Sequence, residues 1–273
     1  MIESLENRRL LSVSLHNGHL NISGTRRADN IELRVDQSHL IVSMGSRVKS
    51  FNLADVRFIK ATGGNGNDNI HFNSSGGDLN TPMTLIGGNG KDTLVGASGD
   101  DNIRGGKGAD DCIGGAGDDS IHGDQGDDSC DGGAGDDSIT GDAGDDSIHG
   151  DQGDDSCKGG AGDDSVGGSD GNDDLDGGSG DDSLDGGNGD DSLEGNAGDD
   201  SLEGGNDDDS LEGNAGKDDC HGGAGDDSIK GGKGRDHFHN DDDPSEIDDK
   251  HGNDDDDHDD VTGGHGSDDV LHG

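Results

Sequence analysis

The sequence predicts an all-β chain: a solenoid of 18-residue coils, closed at its N-terminal end by a small β-meander. Three observations carry this. A nine-residue unit, G-G-x-G-x-D-x-U-x with U apolar, recurs in fixed phase through more than half of the chain. Glycine stands at about three times its ~7% average, 57 of 273 residues, while aromatics are 1%. Ahead of Ala61, Gly is sparse and Leu, Ile and Val alternate with polar residues at period two.

Composition excludes several classes of function. Asp and Glu number 65 against 18 Lys and Arg, a net charge of −47. A surface so negative cannot neutralise nucleic-acid phosphates, and an anionic membrane repels it. No run of about 20 apolar residues is present, so no helix spans a bilayer. Residues 1–60 hold nine Lys/Arg and six Asp/Glu, a net of +3, so the remainder carries −50. Low hydrophobicity with such a charge means either disorder or a fold that needs bound cations.

Residues 1–62 are expected to form the cap. Leu11, Val13 and Leu15 alternate, as do Leu20 and Ile22, around the hairpin dipeptide Asn17-Gly18. Ile31, Leu33 and Val35 face Leu40, Val42 and Met44 across a turn near Asp36-Gln37. A last pair of runs holds Phe51, Leu53, Val56 and Phe58.

Residues 63–239 are expected to form the solenoid. Seventeen consecutive units run from Gly87 to His239 without a slip, and one further copy, Gly63 to His71, lies upstream of the irregular stretch 72–86. In all 18 copies the first position is Gly, the sixth Asp and the eighth apolar. The fourth is Gly except at Asp207, which puts that turn in doubt. Gly at the first, second and fourth positions permits a tight turn. Positions seven to nine read polar-apolar-polar, a three-residue strand with one inward side chain. A unit is thus six residues of turn and three of strand, and two units make a coil with two thin facing sheets.

One inward side chain per nine residues cannot offset the entropy of ordering nine residues. The position-six Asp also stacks on its counterpart 18 residues on, about 4.8 Å away in the next coil, where like charges repel. A hard cation between successive turns removes the repulsion. Oxygen-only ligands at flexible spacing favour Ca²⁺ over Mg²⁺, and no soft ligand recurs to favour Zn²⁺ or Cu. Position five varies (Asn67, Lys91, Ala109, Lys217, Arg235), so its frequent Asp is expected to be a solvated charge that only draws cations near.

This nonapeptide resembles that of the RTX (repeat-in-toxin, haemolysin-type) calcium-binding proteins. The resemblance implies a parallel β-roll in which position-six carboxylates and turn carbonyls hold multiple Ca²⁺ between neighbouring turns. Carried onto this chain, the implied ligands are Asp68, Asp92, Asp101, Asp110, Asp119, Asp128, Asp137, Asp146, Asp155, Asp164, Asp173, Asp182, Asp191, Asp200, Asp209, Asp218, Asp227 and Asp236. The seventeen in-phase turns fall into columns of nine and eight, giving at most fifteen inter-turn sites. The resemblance also implies an exported bacterial protein. Leu5-Glu6-Asn7-Arg8-Arg9-Leu10-Leu11-Ser12 is similar to a tag at the start of exported and surface proteins of planctomycete bacteria.

No catalytic motif fits its required setting. H-E-x-x-H is absent. Gly167-Gly168-Ser169-Asp170-Gly171 matches G-x-S-x-G but falls inside a repeat turn. Asn172, Asp174, Asp176 and Gly177 echo an EF-hand start, with Ser183 where its Glu belongs. Cys112, Cys130, Cys157 and Cys220 all occupy position eight and read as small buried hydrophobes. Cys112 and Cys130 are 18 apart and neighbours on one sheet, where a disulfide is open to them; Cys157 belongs to the opposite sheet. Residues 240–273 form an acidic tail with degenerate repeats, in which His251, His258, His265 and His272 are spaced by seven. That tail reads as a solvated charge run, with a transition-metal cluster as the alternative.

The expected protein is a secreted or surface-attached calcium-binding repeat protein with a structural or adhesive role and no enzymatic activity. Its expected partners are calcium ions and not nucleic acid; the sequence leaves a cell-surface or matrix partner open. Two alternatives remain at this stage. One is the accessory module of an exported lipase, protease or epimerase, against which the start at Met1 and lack of a second large domain count. The other is an acidic disordered calcium buffer, against which the exact phase counts.

Overall fold

A computed structural model describes residues 12–240 and 260–263. Residues 5–11 of the expected tag and most of the tail, including His251, His258, His265 and His272, lie outside these residues. Among the described residues the chain is two facing sheets, of 12 and 14 strands, with successive roll strands alternating between them.

β1 (Ser12–His16) and β2 (His19–Ser23) form an antiparallel hairpin in the 12-stranded sheet. Asn17 and Gly18 both take positive φ, 51° and 84°, as the two-residue turn requires. β3 (Asn30–Asp36), β4 (His39–Met44) and β5 (Arg47–Asn52) form an antiparallel meander in the 14-stranded sheet. The two pieces are not a layer laid across the end of the solenoid. β2 pairs in parallel with β6 (Phe58–Asn65), and β3 pairs in parallel with β7 (Asn69–Asn73). Each sheet of the roll therefore begins as an antiparallel hairpin and continues as a parallel ladder. β6 runs across residue 62, so the composition change there has no counterpart in the backbone.

From β8 (Met83–Asn89) and β9 (Thr93–Val95) onward the ladder is parallel, each strand pairing with the one a coil away. Register is position for position: Ile103 faces Ile121, then Ile139, then Cys157. From Asn102 to Lys233 the strands are six residues long, as in Ser120–Gln125 and Ser183–Asn188, not three. Positions one to three belong to the strand, and only positions four to six form the turn. The core is a double file of position-eight side chains, Leu94 to Phe238 on one sheet and Leu85 to Ile229 on the other, all buried.

The N-terminal coils have the same frame with apolar residues along one edge. Leu20, Ile59 and Met83 are buried and stack in register. The Met83 N–H then donates to Asp101 Oδ1 at 2.8 Å, so Met83 stands where the roll elsewhere has its position-six Asp. On this edge the carboxylate column is continued by an apolar one.

Candidate metal centre

All eighteen position-six carboxylates are buried, none more than 3% exposed. The structure brings them into two columns, one along each edge of the roll. Asp68, Asp92, Asp110, Asp128, Asp146, Asp164, Asp182, Asp200, Asp218 and Asp236 follow one another on one edge. Asp101, Asp119, Asp137, Asp155, Asp173, Asp191 and Asp209 follow one another on the other, and Asp227 completes it. Each link is the same: the backbone N–H of one Asp donates to Oδ1 of the Asp a coil later, at 2.7–3.0 Å. Asp68 joins its column across a 24-residue coil that absorbs the irregular stretch 72–86.

The turn consumes its own donors. The position-four N–H donates to the position-three carbonyl of the next coil, as Gly108 does to Gln125 at 2.7 Å. The position-seven N–H reaches back to the position-six carbonyl, as Ser120 does to Asp101 at 2.8 Å. Position five behaves differently from the expected loose charge. Its side-chain oxygen accepts the position-five N–H of the next coil: Asp136 donates to Asp118 Oδ1 at 3.1 Å, and Asp190 to Asn172 Oδ1 at 2.9 Å. Asn serves there as well as Asp, because the requirement is an acceptor and not a charge. Position five thus stitches the column forward while position six stitches it backward.

What remains is acceptors. Sixteen position-six Oδ2 atoms, on every expected ligand except Asp101 and Asp236, are buried without a hydrogen-bond partner. Each Oδ2 turns back beneath the position-one Gly of its own unit. A Cβ built on Gly105 would stand 2.6 Å from Asp110 Oδ2 and 2.8 Å from Gly123 O of the next coil. One on Gly123 would meet Asp128 Oδ2 at 2.5 Å and Gly141 O at 2.9 Å. Glycine at position one therefore leaves a space shared by a carboxylate oxygen and a carbonyl oxygen from adjacent coils. An unpartnered buried carboxylate oxygen is costly unless a cation meets it. The donor set is all oxygen and fits a hard divalent ion.

Burial is the main reason these carboxyls hold their protons well above the ordinary value of 3.8, against the lowering effect of the backbone N–H that each accepts. Asp110, Asp146, Asp182 and Asp209 rise to about 7, and Asp137, Asp164 and Asp191 to about 6. Charges of column neighbours add to the rise, Asp128 and Asp164 acting on Asp146.

Three turns depart from the pattern. Asp207 keeps its turn intact: it takes φ 77°, and its N–H donates to Ala224 O at 2.8 Å as a position-four Gly does. Asp101 has no orphaned oxygen, because Oδ2 accepts the Ala97 N–H at 2.9 Å. The third was missed in the sequence. Gly24 to Glu32 is a degenerate unit with Asp29 at position six and Ile31 at position eight, β3 matching β7 residue for residue. The Asp29 N–H donates to Asp68 Oδ1 at 2.7 Å, so Asp29 heads the longer column. Its Oδ2 accepts the Thr25 N–H at 2.6 Å, as in the Asp101 turn. The spacing of Gly24, Asp29 and Ile31 was the available signal, hidden because Thr25 and Arg27 replace glycine.

Ser169 stands at position two within the strand Ser165–Asp170, with φ 89°, and not at a strand-to-helix elbow. The four cysteines are free and buried, Cys112 opposite Cys130 on neighbouring strands of the 14-stranded sheet and Cys157 on the other sheet.

Two edge columns of buried carboxylates, each with an acceptor-only space beneath a glycine, define a cation-binding β-solenoid. The RTX calcium-binding nonapeptide repeat matches at 86–121, 113–139, 131–166, 167–202, 185–220, 194–229 and 213–243, together more than half of the sequence. The chain belongs to the RTX calcium-binding nonapeptide repeat family: it is a calcium-binding repeat protein whose β-roll takes multiple Ca²⁺ ions. No curated protein matches it. Among the described residues no helix is long and apolar enough to cross a membrane.

Proposed function

We propose that this is an exported, structural or adhesive protein, without catalytic activity, whose roll is ordered by calcium. The ligands are the position-six carboxylates, Asp68 through Asp236, together with turn carbonyls of adjacent coils. The observation that carries this reading is the run of sixteen buried, unpartnered Oδ2 atoms in two columns. Bound Ca²⁺ supplies positive charge between carboxylates that otherwise face one another across adjacent coils. Oδ1 holds the backbone of the previous coil, and Oδ2 is left for the ion. The glycines keep the space open, and the position-eight side chains fix the two edges at a constant separation. By composition the Gly-poor stretch 1–62 precedes the repeat, 63–239, and an Asp- and His-rich stretch, 240–273, follows it. Export fits the high calcium outside cells, the tag-like residues Leu5 to Ser12 and the family's usual setting.

Far-UV circular dichroism in chelator and in millimolar Ca²⁺ tests the reading. The roll is expected to lose its strand signal in chelator and regain it cooperatively with Ca²⁺. A residue of β signal from the antiparallel strands within 12–23 and 30–52 is expected to persist, because their turns bury no carboxylate. Equal strand content in the two solutions overturns the proposal.

A further inference from the structure

Positions seven and nine of each unit flank the buried position eight and lie on the outer face of their sheet. Through most of the roll they are Ser, Asp, Glu or Lys, but the last coil differs. His237 and His239 flank buried Phe238 on the strand His237–Asn240. Asp219 and His221 flank buried Cys220 on the neighbouring strand Asp219–Ala224. The pair is parallel and in register, His237 opposite Asp219 and His239 opposite His221. Ligand atoms of Asp219, His237 and His239 all lie within 4.8 Å of one another. His239 Nε2 is 3.5 Å from Asp219 Oδ1. The His237 and His239 rings are 4.3 Å apart at 78°, and His221 stands edge-on to His239 at 5.9 Å.

We propose that Asp219, His237 and His239 form a binding site for a borderline divalent transition metal, Zn²⁺ before others, with His221 adjacent as a fourth donor. The site is distinct from the calcium turns in both chemistry and place. A strand turns residues i and i+2 to one face, so two imidazoles separated by Phe238 converge on one side of the sheet. A tetrahedral Zn²⁺ with bonds of about 2.0–2.1 Å holds its ligand atoms about 3.3 Å apart. Side-chain rotation closes the remaining gap without moving the strands. Two imidazoles with one carboxylate suit Zn²⁺, Cu²⁺ or Ni²⁺, and discriminate against Ca²⁺ and Mg²⁺, which take oxygen. The roll's other histidines, His71, His122 and His149, are not so placed: no two of them lie on neighbouring strands. The strongly negative field of the roll raises the local cation concentration. A metal here clips the strand His237–Asn240 to Asp219–Ala224, on one side of a strand that pairs on its other side with Asp260–Gly263.

The test uses the full chain in saturating Ca²⁺, with His251, His258, His265 and His272 changed to Gln so that tail histidines do not compete. Calorimetry with Zn²⁺ is expected to find one site, and Co²⁺ to give the visible bands of tetrahedral nitrogen–oxygen coordination. Adding His237→Gln and His239→Gln is expected to abolish both. Loss of a supporting partner alone typically weakens a metal site about 10–100-fold, so loss of two direct ligands should exceed about 100-fold. Circular dichroism and the Ca²⁺ midpoint are expected to stay unchanged, which separates this site from the calcium reading. Should the double variant not fold, paramagnetic Co²⁺ shifts of the His237 and His239 ring signals in the parent chain decide the matter. Zn²⁺ binding that survives both substitutions, no site in the tail-substituted chain, or unshifted ring signals overturns the proposal.

Discussion

At position six the side chain is short enough to turn back under its own unit, and its two oxygens then meet different surroundings. Oδ1 of Asp146 accepts the Asp128 N–H at 2.7 Å, while Oδ2 is buried without a partner. A substitution can separate the two roles. Asp146→Asn keeps an acceptor for the Asp128 N–H and removes the charge; Asp146→Ala removes both. Both are expected to raise the Ca²⁺ midpoint, the alanine by about 1–3 kcal/mol more, the cost of leaving the buried Asp128 N–H unsatisfied. In chelator at neutral pH the asparagine is expected to be the more stable of the two and more stable than the parent, since it buries no carboxylate. At Asp145 the oxygen accepts the Asp163 N–H at 3.0 Å, so Asp145→Asn should be silent and Asp145→Ala should cost about 1 kcal/mol. Equal midpoints for Asp146→Ala and Asp145→Ala would mean the carboxylates act as a diffuse acidic cloud. The same burial fixes a pH dependence for the calcium-free chain. Asp110, Asp146 and Asp182 carry folded values of about 7 against 3.8 unfolded, so the folded roll binds more protons over that interval. Stability without calcium is therefore fully present below about pH 4 and is lost as the pH rises through about 6–7. A chelated sample should gain strand signal on acidification from pH 8 to pH 4.5, and a flat profile would contradict the burial of these groups.

The strand is where the sequence was least legible. Period-two alternation marked positions seven to nine, but positions one to three carry Gly and small polar residues that show no side-chain pattern. They are strand because backbone groups pair between coils, as Gly106 does with Asp124 and Lys107 with Gln125. The alternation of units between two sheets, the inward place of position eight and the hairpin at Asn17-Gly18 were all readable, since each rests on a local rule. The splice of the N-terminal hairpins into the same two sheets was not, because it depends on partners distant in sequence, Ile59 for Leu20 and Ile70 for Ile31. Neither was the acceptor role of position five, which only the stacking of coils creates. The cysteines give the element a reporter. Cys112 is raised above the ordinary thiol range by its hydrogen bond with Cys130 and by burial, and Cys157 and Cys220 are raised by burial and nearby Asp charges. Since the thiolate is the reactive form, these thiols should resist alkylation in Ca²⁺ and react when chelator opens the roll. Equal labelling rates in the two solutions would show that position eight does not stay closed.

The roll is a one-dimensional stack, in which each coil pairs with its neighbours and stability is approximately a sum over similar interfaces. Residues beyond the first 60 carry a net −50, and such self-repulsion works against any compact state. It also fixes how many ions the roll must take. Two or three ions would neutralise one end and leave most of both columns as adjacent buried carboxylates. Fifteen inter-turn sites, the number set by columns of nine and eight turns, would supply +30 and leave an exterior negative enough for solubility. The structure adds a further turn pair at Asp68 and Asp92, whose Oδ2 atoms are both unpartnered, and weakens the position at Asp101, whose second oxygen is already bonded. Calorimetry is therefore expected to count Ca²⁺ ions at about this number, and cooperatively, because an ion ordering one turn prepares the next. Mg²⁺ should not replace them, as it demands tight octahedral geometry and gives up water reluctantly. A count of two or three ions, or an equal response to Mg²⁺, would leave the columns unneutralised and contradict inter-turn coordination as the source of the roll's stability.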